Sequence, residues 1–230
     1  VQMANHEVGT LQPVAEVIAL CKDRGVLVHV DAAAGAGHVP IDFVASGADF
    51  MSISSPKLGG PVGVGALLVR RGLRVDPLLV GGDQERARRA GLENVAAAVG
   101  FGLACNFDLF LEASTALEHT NAIANAALAV DDVIQYGDPV GRVPHIVCFG
   151  VGGVEAEGVL LGLDQSGVAA HSGSACSSEA SEPSPVLEAM GVDARHSLRV
   201  SVGWSTTQDD VDAFANAFPS VVARLRALGG

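Results

Sequence analysis

Phe50-Met51-Ser52-Ile53-Ser54-Ser55-Pro56-Lys57-Leu58-Gly59-Gly60-Pro61 passes from a short apolar run into small residues and then a lysine. Residues 50–54 read as a strand, and the Ser, Pro and Gly cluster behind them reads as the loop that ends it. Upstream, Val26-Leu27-Val28-His29-Val30 is a second β-branched run, closed by Asp31. Before it, Pro13 to Arg24 carries Val14, Val17, Ile18 and Cys21 at helical spacing between a leading proline and Gly25. A third strand is expected over Gly65 to Arg70, after an interval short enough for antiparallel pairing. Helices alternating with strands predict α/β layering, with Asp31 and Lys57 at strand ends, where ligand sites of such sheets gather.

Further along, residues 81–94 are a polar, arginine-rich break, and helical periodicity returns from Val95 to Glu118. A domain boundary is expected near residues 107–112, dividing the chain into 1–108 and 109–230. The second part repeats the alternation. A helix is expected over about 114–134, a strand over Pro144 to Gly150, a helix over Glu155 to Gly167, a strand over Leu198 to Val202 and a final helix over Thr207 to Leu228. Thr206-Thr207-Gln208-Asp209-Asp210 has the hydroxyls and early carboxylates of a helix start.

Composition excludes several classes. Hydrophobic residues make up 49% and charged residues 17% of the 230, with mean hydropathy +0.36, so the chain can bury a core. Acidic residues outnumber basic ones 26 to 14, for a formal charge of −12, and no basic tract could follow a phosphate backbone, which argues against nucleic acid. No apolar run approaches the ~18 residues of a membrane span. The first residues lack a secretory signal, so a cytoplasmic location is the expectation. Cys21, Cys105, Cys148 and Cys176 are widely spread without a CxxC pair, which fits neither a disulfide framework nor a zinc site, and no metal is expected. A start at Val1 that runs directly into motif-like sequence points to a fragment or truncated reading frame.

A few polar residues stand out against this apolar background. Lys57 reads either as a solvated turn lysine or as an amine whose pKa, ~10.4 in water, is lowered by burial so that it forms a Schiff base with a carbonyl cofactor. Asp31 reads as a turn or helix-capping residue, or as the carboxylate that keeps a pyridine nitrogen protonated. His29 shares its strand face and reads as a core or supporting histidine. The glycines from Gly59 to Gly65 match no nucleotide loop, whereas Ser54 and Ser55 could contact a phosphate. Cys176, in His171-Ser172-Gly173-Ser174-Ala175-Cys176-Ser177-Ser178, reads as an exposed, nucleophilic thiol, while the other three cysteines sit among apolar neighbours and read as buried. Arg199 interrupts Leu198-Arg199-Val200-Ser201-Val202 and needs an anion, either a structural carboxylate or that of a substrate.

Together these stretches resemble the cysteine desulfurases of the NifS/IscS type, within the class V aminotransferase group of pyridoxal phosphate enzymes. Supporting motifs are Ala4-Asn5-His6-Glu7-Val8-Gly9-Thr10, Gly81-Gly82-Asp83-Gln84-Glu85-Arg86 with Arg89-Ala90-Gly91, Glu182-Pro183-Ser184 and Ser197 to Gly203, all in the family's order. The resemblance implies part of a pyridoxal phosphate fold type I large domain, with a mainly parallel sheet, followed by a smaller α+β domain carrying the cysteine loop. It implies that Lys57 binds pyridoxal 5'-phosphate covalently, that Asp31, Ser54 and His6 contact the cofactor, and that Arg199 and Asn5 hold the substrate. Cys176 is then the nucleophile that takes sulfur from L-cysteine, releasing alanine and passing a persulfide to an acceptor or scaffold protein for iron–sulfur cluster assembly or thiolation. A homodimer is implied as well.

Ala34, Pro56, His6, Asp83 and Leu92 depart from the family's usual glutamine, histidine, asparagine, glycine and threonine, which predicts weaker cofactor binding. The family's N-terminal portion, with a cofactor-stacking histidine, has no counterpart in this chain. The alternatives are a selenocysteine lyase or another β-eliminating enzyme of the group, or a non-catalytic truncated remnant acting through a partner.

Overall fold

The structure, a computed structural model, describes residues 1–106, 109–172 and 184–229, excluding the side chains of residues 109–111. The chain forms two compact units, Val1–Met3 with Gln12–Asp108 and Ala4–Leu11 with Leu109–Gly230.

In the first unit, α1 (Val14–Lys22) follows Pro13 and buries Ile18, with Val14 and Cys21 packed beside it. The unit continues with β1 (His29–Asp31), the short α2 (Phe43–Ser46), β2 (Phe50–Ser54), β3 (Gly65–Val69), the turn α3 (Gln84–Ala87) and α4 (Val95–Ala104). β1 and β2 run parallel, with Val30 opposite Met51 and Asp31 opposite Ser52, and β2 pairs antiparallel with β3. One sheet face buries Val28, Val30 and Met51 against Ile18 and Ala48. Strand alternation puts His29, Asp31, Ser52 and Ser54 on the other. β1 is shorter than the apolar run suggested: Val26 and Leu27 stay 51% and 55% exposed. The Val28 N–H donates to Asp49 Oδ2 at 2.8 Å and its carbonyl accepts from the Asp49 and Phe50 N–H groups, so the approach to β1 is held at Val28 and not at Val26 or Leu27.

In the second unit, α5 (Leu109–Leu128), β4 (Val133–Tyr136), β5 (Ile146–Val151), α6 (Ala156–Asp164), β6 (His171–Ser172), α7 (Pro185–Ala189), β7 (Ser197–Ser201) and α8 (Gln208–Gly229) follow in order. The strands are arranged β4-β5-β7-β6, every pair antiparallel. Phe149 and Leu198 of the sheet pack with Leu163 of α6 and with Phe214 and Phe218 of α8, whose rings stack 5.2 Å apart. The helix expected over 114–134 overruns: α5 ends at Leu128, and Asp132, at φ 57°, turns the chain into β4, which the helical reading had absorbed. α8 begins as its sequence indicates, with Thr207 and Asp210 exchanging backbone and side-chain hydrogen bonds. No described helix is long and apolar enough to cross a membrane.

Candidate active site

Because β1 and β2 are parallel and Asp31 lies opposite Ser52, Asp31, Ser54 and Lys57 all emerge at the carboxyl end of the first unit's sheet. Asp31 Oδ1 accepts the Ala33 N–H at 3.0 Å, which orients the carboxyl as the chain leaves the strand. His29, exposed on the same face, has Nε2 3.1 Å from Ser52 Oγ and supports this polar row.

Lys57 stands on a single 3-10 turn, Ser55–Leu58, closed by Gly59 at φ 75°. That left-handed conformation suits glycine, and Pro56 fits because its missing N–H falls in the first turn, where no intrahelical partner exists. Ser54 does not cap the turn with its side chain, which leaves the hydroxyl for another acceptor or donor. Ser55 is fully buried, its Oγ with no hydrogen-bond partner among the described residues. A Cβ on Gly60 would come within 2.4 Å of that oxygen, so turn and glycine loop are packed tightly. The lysine is exposed, where the sequence reading of a Schiff-base amine had it buried. His38, half-buried and not singled out from the sequence, hydrogen-bonds the Lys57 backbone. Burial lowers its pKa more than that bond raises it, and the Lys57 charge lowers it further, so a neutral ring steadies the lysine's turn.

The second unit gathers Asn5, His6 and Arg199. Asn5 Oδ1 accepts the Glu7 and Val8 N–H groups at 2.9 and 3.0 Å, which shapes the loop. Arg199 lies half-buried on β7 and donates from Nη1 to the His6 carbonyl at 3.2 Å. Among the described residues its buried Nε has no hydrogen-bond partner, and none of their ion pairs includes it. A structural carboxylate is therefore not what answers this guanidinium among the described residues. Glu7, buried at 4% exposure, accepts from Ser184 Oγ at 2.5 Å, and His6 Nε2 lies 3.7 Å from its other oxygen. Sequence reading missed the pair, although both residues lie in motifs it had marked.

Cys148 is buried, and burial, with the Glu7 charge adding and Arg199 opposing, pushes its thiol up to about 12. Cys21 is only partly buried and Cys105 is exposed, because α4 ends at Ala104 and Cys105 falls on the helix terminus. Cys176 lies outside the described residues. Among the described residues no cluster of His, Cys, Asp or Glu could hold a metal ion.

The aminotransferase class-V family model matches residues 1–214. Across 99% of its length the chain is 39% identical to a cysteine desulfurase of the IscS type from Archaeoglobus fulgidus, covering 61% of that protein. Across 98% it is 40% identical to the cysteine desulfurase NifS of Azotobacter vinelandii, covering 58%. It is 42% identical to an IscS-like cysteine desulfurase of Mycobacterium tuberculosis, over 98% of this chain and 60% of that protein. The chain thus spans about three fifths of the length of these relatives. The crystal structure of a NifS-like protein from Rickettsia africae superposes with TM-score 0.88 at 30% identity, over 96% of this chain and 61% of its own.

Proposed function

This chain belongs to the aminotransferase class V family, and from that premise we propose that it is the greater part of a pyridoxal phosphate-dependent cysteine desulfurase. The observation that carries the reading is the delivery of Asp31 and Lys57 to one end of adjacent parallel strands. The donor set there suits the cofactor: an amine for its aldehyde, a carboxylate for its ring nitrogen and the Ser54 hydroxyl for its phosphate. Residues 1–108 would be the C-terminal part of the cofactor-binding domain and 109–230 the small domain, a division that the two compact units support except at residues 4–11, which fall in the second unit.

When bound, pyridoxal phosphate supplies an electron sink for the electrons left by the Cα–H bond of L-cysteine. Lys57 Nζ takes the Cα proton and returns a proton to carbon, while Asp31 holds the proton on the ring nitrogen. Arg199 grips the substrate carboxylate through its two-pronged guanidinium, a role supported by the absence of a carboxylate partner among the described residues, with Asn5 and His6 beside it. The Cys176 thiolate attacks the substrate sulfur. An S–S bond forms as the Cβ–S bond breaks, Cβ takes up a proton to give L-alanine, and the persulfide leaves with an acceptor or scaffold protein. A homodimeric assembly in the cytoplasm, as the resemblance implies, completes the reading.

Incubation with pyridoxal phosphate, borohydride reduction and mass mapping test it. Selective labelling of Lys57 is expected either for this chain or for one extended upstream, with alanine formed from L-cysteine and, when a dithiol reductant is added to reduce the persulfide, sulfide as well. Absence of labelling in both overturns the reading.

A further inference from the structure

Trp204, the one tryptophan of the chain, is 79% exposed. It stands on the turn between β7 and α8, which two hydrogen bonds close: the Thr206 N–H to the Gly203 carbonyl and the Gly203 N–H to Thr206 Oγ1, each 3.0 Å. A large aromatic ring offered to water on a fixed turn gains nothing for folding, and tryptophan is among the residues that anchor interfaces.

Two further observations come from the elements that flank its turn. A cavity of about 280 Å³ opens in the second unit, lined by Ile123, Val168, Val202 and Phe214 and by the polar Thr206 and Asp210. That is below the ~300–1,000 Å³ typical of sites for drug-sized molecules, and it suits one long side chain. Asp209, Asp210 and Asp212 are all exposed at the start of α8. Asp210 is fixed by its bonds from Thr207, which also hold its carboxyl below the usual carboxylate range. Three carboxylates on one turn reverse the preference of a helix start for anions, and the whole chain carries a formal −12.

The geometry points to this face as a docking surface for a basic segment of a partner polypeptide, with an arginine or lysine stacked on Trp204 and an apolar stem over the cavity that Val202 and Thr206, on either side of it in the chain, help to line. The positive charge of the segment as a whole answers the exposed carboxylates of Asp209, Asp210 and Asp212, of which Asp210 lines the cavity. The apolar stem replaces water over the cavity floor, and the guanidinium or ammonium lies against the face of the indole. The site is independent of the proposed desulfurase chemistry, since none of these residues belongs to it.

A single tryptophan makes the test direct. Titration with a synthetic peptide alternating leucine and arginine should shift or quench Trp204 emission saturably, while a counterpart with glutamate for arginine should leave it unchanged. With fluorescein on the peptide, anisotropy should show binding weakened about two- to fivefold by Trp204→Ala. The Asp209→Asn/Asp212→Asn pair, which spares the Thr207–Asp210 cap, should weaken it further, and so should raised salt. Unchanged emission with the arginine peptide overturns the proposal, as does equal affinity for the glutamate peptide or for the variants. An emission change that follows protein concentration without peptide assigns the face to a second copy, and saturation by free arginine assigns it to a small molecule; either overturns it too.

Discussion

Ser184 Oγ donates to Glu7 Oε2 at 2.5 Å, joining residues 177 positions apart in the sequence inside one compact unit. The same hydroxyl accepts the Leu187 N–H at 3.2 Å, so one serine both caps α7 and solvates a buried carboxylate. Ser184→Ala should therefore cost about 2–4 kcal/mol, the sum of a lost cap and a lost charge-assisted bond. Ser184→Asp should fare worse although aspartate also caps helices, because it sets a second negative charge against Glu7. Urea midpoints of the two variants check the order.

Gly60→Ala should disturb the turn that carries Lys57. The added Cβ meets Ser55 Oγ at 2.4 Å and Ala104 Cβ at 3.1 Å, and Ser55 is fully buried with no room to retreat. The expected result is a loss of about 1–3 kcal/mol together with weaker borohydride-trapped labelling of Lys57. Labelling as strong as in the unchanged protein would show that the turn does not need this close approach.

Asp49 makes the first unit sensitive to acid. Its Oδ2 accepts from Val28 N and its Oδ1 from Arg70 Nε at 2.7 Å. The Val28 bond is the main reason its carboxyl lies below the ordinary range, with burial opposing and Arg70 adding. A depressed folded pKa means that the stabilisation is present above the unfolded value of about 3.9 and is lost as pH falls through the folded one. Asp49→Asn should cost about 1–2 kcal/mol near pH 7. The gap to the unchanged protein should close below about pH 4, which thermal melts across pH would reveal.

Cysteine reactivity should divide by burial. With its thiol near 12, Cys148 stays protonated and shielded, whereas exposed Cys105 is open to reagent. Mass mapping after brief treatment with iodoacetamide at pH 8 should find Cys105 modified and Cys148 intact until denaturant is added.

Arg199→Lys keeps the charge and loses the fork. If the guanidinium holds the substrate carboxylate, KM for L-cysteine in the upstream-extended enzyme should rise about tenfold or more with kcat within about threefold, the signature of lost uniform binding. An unchanged KM would remove Arg199 from substrate recognition.

Periodicity and turn chemistry alone located β2, β3, α6, α8 and the lysine loop, because each is written in a short window: alternating apolar residues, a proline and glycine cluster, or a threonine with an aspartate three residues later. The same local reading failed at β4, where apolar residues at helical spacing ran past the Asp131-Asp132 break, and at Val26-Leu27, two apolar residues that stay exposed ahead of β1. Residue types and their order sufficed for the family, and they marked a lysine, an aspartate, an arginine and a cysteine as the candidates for its chemistry. Only the tertiary structure decided that Asp31 and Lys57 share a sheet end, that Arg199 has no carboxylate partner among the described residues, and that Glu7 closes on Ser184. Those facts depend on strand register and on which distant carboxylate or hydroxyl reaches a buried polar atom, and a hydrogen bond spanning 177 residues leaves no mark on the local pattern of either partner.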